Sequence, residues 1–170
     1  MSPISPEAVV GTSVTFSFIL LGNAITQSFM SVPAVLLDFP KPGTPEHAAR
    51  AQLLGRQWPV FHRIGNNFMR PMSMFGIFGY GFTAWAMSQG RLKGDWRLLA
   101  VSSLCHLIVV IHSAINLQPL NYKIEACADG KSEKIDLAQA EEFGRSWIRC
   151  NFVRVVCPLV AGSLALWQFL

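Results

Sequence analysis

Residues 98–122 read LLAVSSLCHLIVVIHSAINLQPLNY and contain no Asp, Glu, Lys or Arg. Three more stretches, residues 8–37, 71–90 and 155–170, also lack these four residue types. A bilayer core about 30 Å thick is crossed by roughly 20 mainly apolar residues in a helix, because a helix satisfies its own backbone hydrogen bonds. Charged residues make up 14% of the 170-residue chain, whereas roughly 25% is usual in a soluble domain. The sequence therefore predicts an all-α integral membrane protein.

The uncharged stretches set the positions of the predicted helices. We place four membrane helices at about residues 10–37, 68–89, 97–118 and 147–169, which makes residues 1–170 a single four-helix bundle. Pro119 is expected to end the third helix. Short interfacial helices are expected in the two long connections, one starting at Thr44 and Pro45 and the other covering residues 135–143.

The charged residues favour one orientation and exclude one class of partner. Eleven of the 14 Lys and Arg residues lie on the side of the two long connections, which the positive-inside rule makes cytoplasmic. The formal net charge is +4, but the basic residues alternate with acidic ones beside the membrane segments and form no stripe that would bind nucleic acid. Membrane lipids are the expected surroundings, and the chain is compatible with a homo-oligomer.

Polar residues concentrate at one end of the predicted bundle, where helices one and three end and helices two and four begin. They are Gln27, Ser31, His62, Asn66, Asn67, His112, Asn116, Asn151 and Arg154. The membrane helices contain no carboxylate, which leaves Arg154 without an acidic partner and argues against a Ser-His-Asp set or a proton-coupled pump. An apolar, aromatic-walled pocket with amides, imidazoles and one guanidinium at its mouth suits a flat hydrophobic ligand.

Three short motifs follow one another along the chain: QWPVFHRIG at residues 57–65, NLQPLN at residues 116–121 and WIRCNFVR at residues 147–154. Together they resemble the membrane-integral anthrone oxygenase family of polyketide pathways, over residues 10–165. The resemblance implies an enzyme, a monooxygenase that converts an anthrone such as emodin anthrone to the anthraquinone. It also implies O₂ as co-substrate, no metal or flavin cofactor, and an endomembrane location such as the endoplasmic reticulum.

The reaction that the resemblance implies needs a base, an anion stabiliser and an apolar slot. The central methylene of an anthrone is acidified by its flanking rings and carbonyl, and the resulting anthrolate can itself reduce O₂. We expect His62 or His112 to be the base, with His62 preferred, and Arg154 to stabilise the enolate or peroxide oxygen with help from Asn116 and Asn121. The residues expected to bind the substrate are Gln27, Trp58, Asn66, Asn116, Asn121, Trp147 and Asn151, with the two tryptophans stacked on its rings.

Two other functions fit the same residues. One is a membrane protein that binds a quinone, a lipid or a pigment without catalysis. The other is a metal-dependent membrane oxidase that uses His62, His106 and His112. His106 and His112 are six residues apart and so do not share a helix face, which means that such a metal site would have to be built across helices.

Overall fold

The computed structural model describes residues 5–129 and 136–168, and every regular element in these ranges is a helix. Four long helices follow one another: α1, Pro6–Leu36; α2, residues 45–88; α3, Trp96–Asp129; and α4, Leu137–Trp167. Each packs against the next, and α4 closes the ring against α1. The prediction of an all-α four-helix bundle is confirmed.

Three of the four helices in the described part of the chain, α1, α3 and α4, are long and apolar enough to cross a membrane. The inner half of α2, Arg70–Ser88, carries three glycines together with hydroxyl-bearing and tryptophan side chains. This half packs against both α1 and α3. It therefore lies alongside the apolar helices in the bundle.

The two long connections are helical, as expected, and their helices continue into the bundle. Thr44 caps the start of α2, where its Oγ1 accepts a hydrogen bond from the N–H of His47, with Pro45 in the first turn. From there α2 runs without a break to Ser88. In the second connection, one 3₁₀ turn at Leu137–Gln139 leads directly into the α-helix Ala140–Trp167. Residue 135, where this interfacial helix was predicted to start, and residue 169, where helix four was predicted to end, lie outside the described residues.

Three π-helical segments interrupt the α-helices, each with a proline two residues after its end. They are Gln27–Ser31 before Pro33 in α1, Gly65–Met69 before Pro71 in α2, and Ser113–Leu117 before Pro119 in α3. Proline has no N–H and clashes with the carbonyl four residues back, whereas a π-turn bonds to the residue five back. The N–H of Gln118 accordingly bonds to the carbonyl of Ser113. The expectation that Pro119 ends the third helix is wrong, because this wider turn absorbs the proline and the helix continues to Asp129.

Two main hydrophobic clusters divide the bundle along its length. The inner cluster contains Tyr80 and Leu99 and lies toward the short turn between α2 and α3. The outer cluster contains Trp58, Leu117 and Trp147 and lies toward the long connections. In α1 and α2 the π segment falls between the two clusters along the chain, and in α3 it ends at Leu117 of the outer cluster, so each helix changes geometry where it passes from one cluster to the other.

Candidate functional site

A cleft lies at the level of the π segments and is lined by residues of all four helices. Its cavity volume is about 70 Å³, which is room for a few water molecules at roughly 10–15 Å³ each, so a larger ligand would extend into the open mouth. The π segments supply six of its lining residues, namely Gln27, Gly65, Asn66, Met69, Ser113 and Leu117. A π-turn aims side chains differently from an α-helix and often marks a functional site. The three prolines therefore shape the place where a ligand would bind.

Most of the predicted site residues line this cleft. They are Gln27, Trp58, His62, Asn66, Asn121, Trp147 and Arg154. His112, Asn116 and Asn151 do not line it. His112 donates through Nε2 to the carbonyl of Cys150 at 2.8 Å, and its Nδ1 accepts from Nδ2 of the exposed Asn116 at 3.0 Å. Both ring nitrogens of His112 are therefore bonded to residues outside the cleft.

Asn121 joins the two tryptophans of the outer cluster. Its Oδ1 accepts the indole N–H of Trp58 at 3.0 Å and that of Trp147 at 2.9 Å. The two indole rings pack edge to face, with centroids 5.4 Å apart and planes at 88°. This geometry makes a rigid aromatic wall on one side of the cleft. The two rings are not parallel and so could not sandwich a substrate between them. The side-chain oxygen of Asn121 already accepts two hydrogen bonds from the protein.

His62 lies in a network of three side chains. Its Nδ1 is 2.8 Å from Oε1 of Glu125, and its Nε2 is 2.7 Å from Nδ2 of Asn66 and 3.1 Å from Oε1 of Gln118. Asn66 and Gln118 line the cleft and Glu125 does not, so Nε2 is the ring nitrogen that lies at the cleft. The carboxylate of Glu125 thus bonds the ring nitrogen that faces away from the cleft, and the other ring nitrogen lies at the cleft.

The sequence did not single out Glu125, because it follows the proline that was expected to end helix three. A signal was present nonetheless. Gln118, Asn121 and Glu125 have the i, i+3, i+7 spacing of one helix face, and a helix drawn through Pro119 would have placed all three on the side facing His62.

Arg154 is held in the cleft by a neutral amide. Its Nη1 donates to Oδ1 of Asn151 at 3.0 Å, and the described residues include no ion pair to this guanidinium. Asn151 is completely buried, and its Nδ2 donates to Oγ of Ser28 at 2.8 Å and to the carbonyl of Ala24 at 3.3 Å. Asn151 therefore ties Arg154 to α1 and fixes the guanidinium without neutralising its charge.

Gln27 has an acceptor that no described protein group uses. Its side chain is 8% exposed, and Oε1 is buried without a hydrogen-bond partner. Leaving a buried acceptor unsatisfied costs about 1–3 kcal/mol, so such groups in native proteins usually have a ligand or a water as their partner. Because Gln27 lines the cleft, its partner is expected there.

The histidines do not come together as metal ligands. Within the described ranges, no group of three or more His, Cys, Asp or Glu side chains could hold a metal ion. His106 is completely buried in the inner half of the bundle, where its Nε2 is 2.9 Å from Oγ of Ser17, which also bonds the hydroxyl of Tyr80 at 2.8 Å. His62, His106 and His112 thus belong to three separate hydrogen-bond networks, and their arrangement does not fit the shared metal site of the alternative function.

Fold and cleft together define a four-helix membrane-type bundle with an open polar cleft at the level of the π segments. A family model described as anthrone oxygenase matches residues 58–164, and the chain belongs to this family. The matched region contains His62, Asn121, Trp147 and Arg154, and it supports an oxygenase-type role in general. No curated protein and no solved structure matches the chain.

Proposed function

We propose that this protein oxidises an anthrone-type phenolic polyketide to the anthraquinone with O₂, by base-assisted chemistry that needs no metal or flavin. The observation that carries the proposal is that His62, Gln27 and Arg154 line one cleft beside an aromatic wall, in a chain of the anthrone oxygenase family. A base, a hydrogen-bond acceptor and a fixed positive charge are the groups that such a reaction needs.

Five cleft residues have a role in this proposal. Neutral His62 takes a proton from the central methylene of the anthrone through Nε2. Arg154 stabilises the negative charge that spreads to the substrate oxygen, and it acts strongly because it has no carboxylate partner among the described residues. Gln27 accepts a hydrogen bond from a phenolic hydroxyl. Trp58 and Trp147 form the wall against which the ring system lies.

The reaction balances without a further reductant. After His62 takes the first methylene proton, the anthrolate carbon donates electrons to O₂, a C–O bond forms, and the peroxide receives the proton from His62. His62 then removes the second hydrogen of this carbon, the O–O bond breaks to leave the carbonyl, and the departing hydroxide takes that proton to form water. In total, one anthrone and one O₂ give one anthraquinone and one H₂O.

The test is O₂ uptake by detergent-purified protein given emodin anthrone, measured together with quinone absorbance and corrected for spontaneous air oxidation. We expect one O₂ consumed per quinone formed. His62→Gln is expected to lower kcat about 100-fold or more, as for loss of a general base, and Arg154→Met about 100-fold. Arg149→Met is the matched control, because Arg149 is exposed on the same helix and pairs with Glu142. Uptake no faster than background by folded wild-type protein would refute the proposal.

Further outcomes separate the alternatives. His112→Gln is expected to retain turnover, because His112 does not line the cleft; full turnover in both histidine variants would contradict the base assignment. Quinone bound without O₂ consumption would favour the non-catalytic binding protein. Stoichiometric metal whose removal abolishes turnover would favour the metal-dependent oxidase. The endoplasmic reticulum location and the homo-oligomer stay predictions.

A further inference from the structure

Glu125 contacts His62 on the side of the imidazole ring that faces away from the cleft. The Nδ1–Oε1 distance is 2.8 Å, and the side chains of His62 and Glu125 are 15% and 27% exposed. An ionised carboxylate can only accept hydrogen bonds, so the ring nitrogen that faces it must carry the hydrogen.

We propose that Glu125 is a positioning residue for His62, which holds the imidazole in the Nδ1–H tautomer and so keeps the lone pair on Nε2 at the cleft. The tautomer follows from the contact with an ionised Glu125, and the effect on turnover rests on the proposed function. A base with its lone pair turned to Glu125 could not reach a substrate in the cleft.

Nε2 has a suitable partner for each protonation state of His62. The amide N–H of Asn66 at 2.7 Å can donate to the lone pair of the neutral ring, and the amide oxygen of Gln118 at 3.1 Å can accept from the N–H of the imidazolium. One nitrogen cannot do both at once. The hydrogen bond of Nε2 therefore passes from Asn66 to Gln118 when His62 takes a proton.

The two amides owe their positions to the π segments. Asn66 lies within Gly65–Met69, and Gln118 is the first residue after Ser113–Leu117. In the imidazolium state Gln118 and Glu125 accept the two ring N–H groups, so both nitrogens of this largely buried ring stay satisfied. The arrangement lets the ring take up and return a proton while both of its nitrogens keep a hydrogen-bond partner.

The decisive variant is Glu125→Gln, which keeps the size of the side chain. An amide can accept from Nδ1 or donate to it, so the preference for one tautomer is lost. A purely structural tie between α2 and α3 would survive this change, because the amide still bonds the ring in either tautomer. The tautomer is therefore a readout that a merely structural role would not move.

The first experiment is ¹⁵N NMR of histidine-labelled protein at a pH where the ring of His62 is neutral, with the His62 signals assigned from His62→Gln. Wild-type protein should show hydrogen on Nδ1 of His62, and Glu125→Gln should show a mixture with the Nε2–H form. Glu142→Gln is the matched control, because Glu142 bonds Arg149 and Ser146 on α4. Wild-type His62 with its hydrogen on Nε2, or an unchanged tautomer in Glu125→Gln, would overturn the inference.

The second experiment separates turnover from substrate binding. Glu125→Gln should lower kcat about tenfold or more, as for loss of a group that orients a reacting residue, and leave KM within about twofold. Glu125→Asp keeps the carboxylate and should keep the Nδ1–H tautomer with part of the turnover, which gives a second variant if Glu125→Gln does not fold. Gln118→Leu should lower kcat and leave the resting tautomer unchanged, because it removes only the acceptor for the imidazolium.

The two proposals fail in different ways. Wild-type protein that does not oxidise anthrones refutes the proposed function, and the NMR result then still decides the tautomer. Wild-type protein that turns over, with Glu125→Gln keeping both tautomer and kcat, refutes the positioning role and leaves the proposed function standing.

Discussion

Asn121→Leu is expected to destabilise the protein by about 2–6 kcal/mol, because two buried donors lose their acceptor at about 1–3 kcal/mol each. Trp58 and Trp147 are 1% and 5% exposed, and both indole N–H groups donate to Oδ1 of Asn121. Leucine has the branched shape of asparagine and is larger, so the substitution leaves no cavity in the outer cluster. The cost therefore comes from the hydrogen bonds and not from a cavity.

A mutant cycle tests whether the cost of Asn121→Leu comes from the two indole hydrogen bonds. In a protein that already carries Trp58→Phe and Trp147→Phe, the donors are absent, so Asn121→Leu should cost only a small part of the same amount. Unfolding by a denaturing detergent in mixed micelles, followed by far-UV circular dichroism, measures all four proteins with a signal that does not depend on tryptophan. Equal costs of Asn121→Leu in the two backgrounds would refute the reasoning, because the asparagine would then stabilise the fold by another route.

Three further experiments, with four substitutions between them, test the packing and the cleft. Gly55→Ala should destabilise the protein by about 1–3 kcal/mol, because its Cβ would lie 2.4 Å from the backbone nitrogen of Ala128. Gly22→Ala should stabilise it by up to about 1 kcal/mol, because nothing lies within 4 Å of the added Cβ. Thermal unfolding of both variants in detergent measures the contrast, and equal effects would contradict it. Gln27→Leu should leave the stability unchanged or raised and should weaken the binding of a hydroxylated anthraquinone about three- to tenfold. Tryptophan fluorescence quenching measures the binding. An equal loss for unsubstituted anthraquinone would show that Oε1 does not bind the hydroxyl. Asn151→Ala should lower kcat as Arg154→Met does, because the guanidinium loses its anchor to α1; O₂ uptake measures it, and an unchanged kcat in folded protein would rule out the anchoring role.

The parts of the fold that the sequence predicts are those that depend on composition. Stretches such as residues 98–122, without a charge over more than a bilayer thickness, predict membrane helices because of the cost of taking charges out of water. The clustering of Gln27, His62 and Arg154 also follows from sequence, since consecutive membrane helices cross in opposite directions and bring known ends together. Neither step requires any knowledge of side-chain packing.

The missed parts of the site depend on helix geometry beyond a proline. Pro119 could end a helix or be absorbed by a π-turn, and the chain sequence near it does not distinguish the two. The π segment Ser113–Leu117 adds one residue to a turn, which rotates the rest of α3 by about 100° relative to an unbroken α-helix. Glu125 lies beyond this segment, and a helix that ends at Pro119 leaves its position undefined, so Glu125 was taken for a loop residue.

The three π segments also separate two halves of each helix whose sequences are constrained by different surroundings. Toward the short turn, the sequence of α1, α2 and α3 is constrained by lipid and by the inner cluster. Toward the long connections, it is constrained by the tryptophan wall and the His62 network. Because the change in helical phase falls between these halves, substitutions that adapt the membrane half to a thicker or thinner bilayer leave the orientation of the cleft residues in place. The membrane half can thus vary in sequence without moving the residues of the cleft.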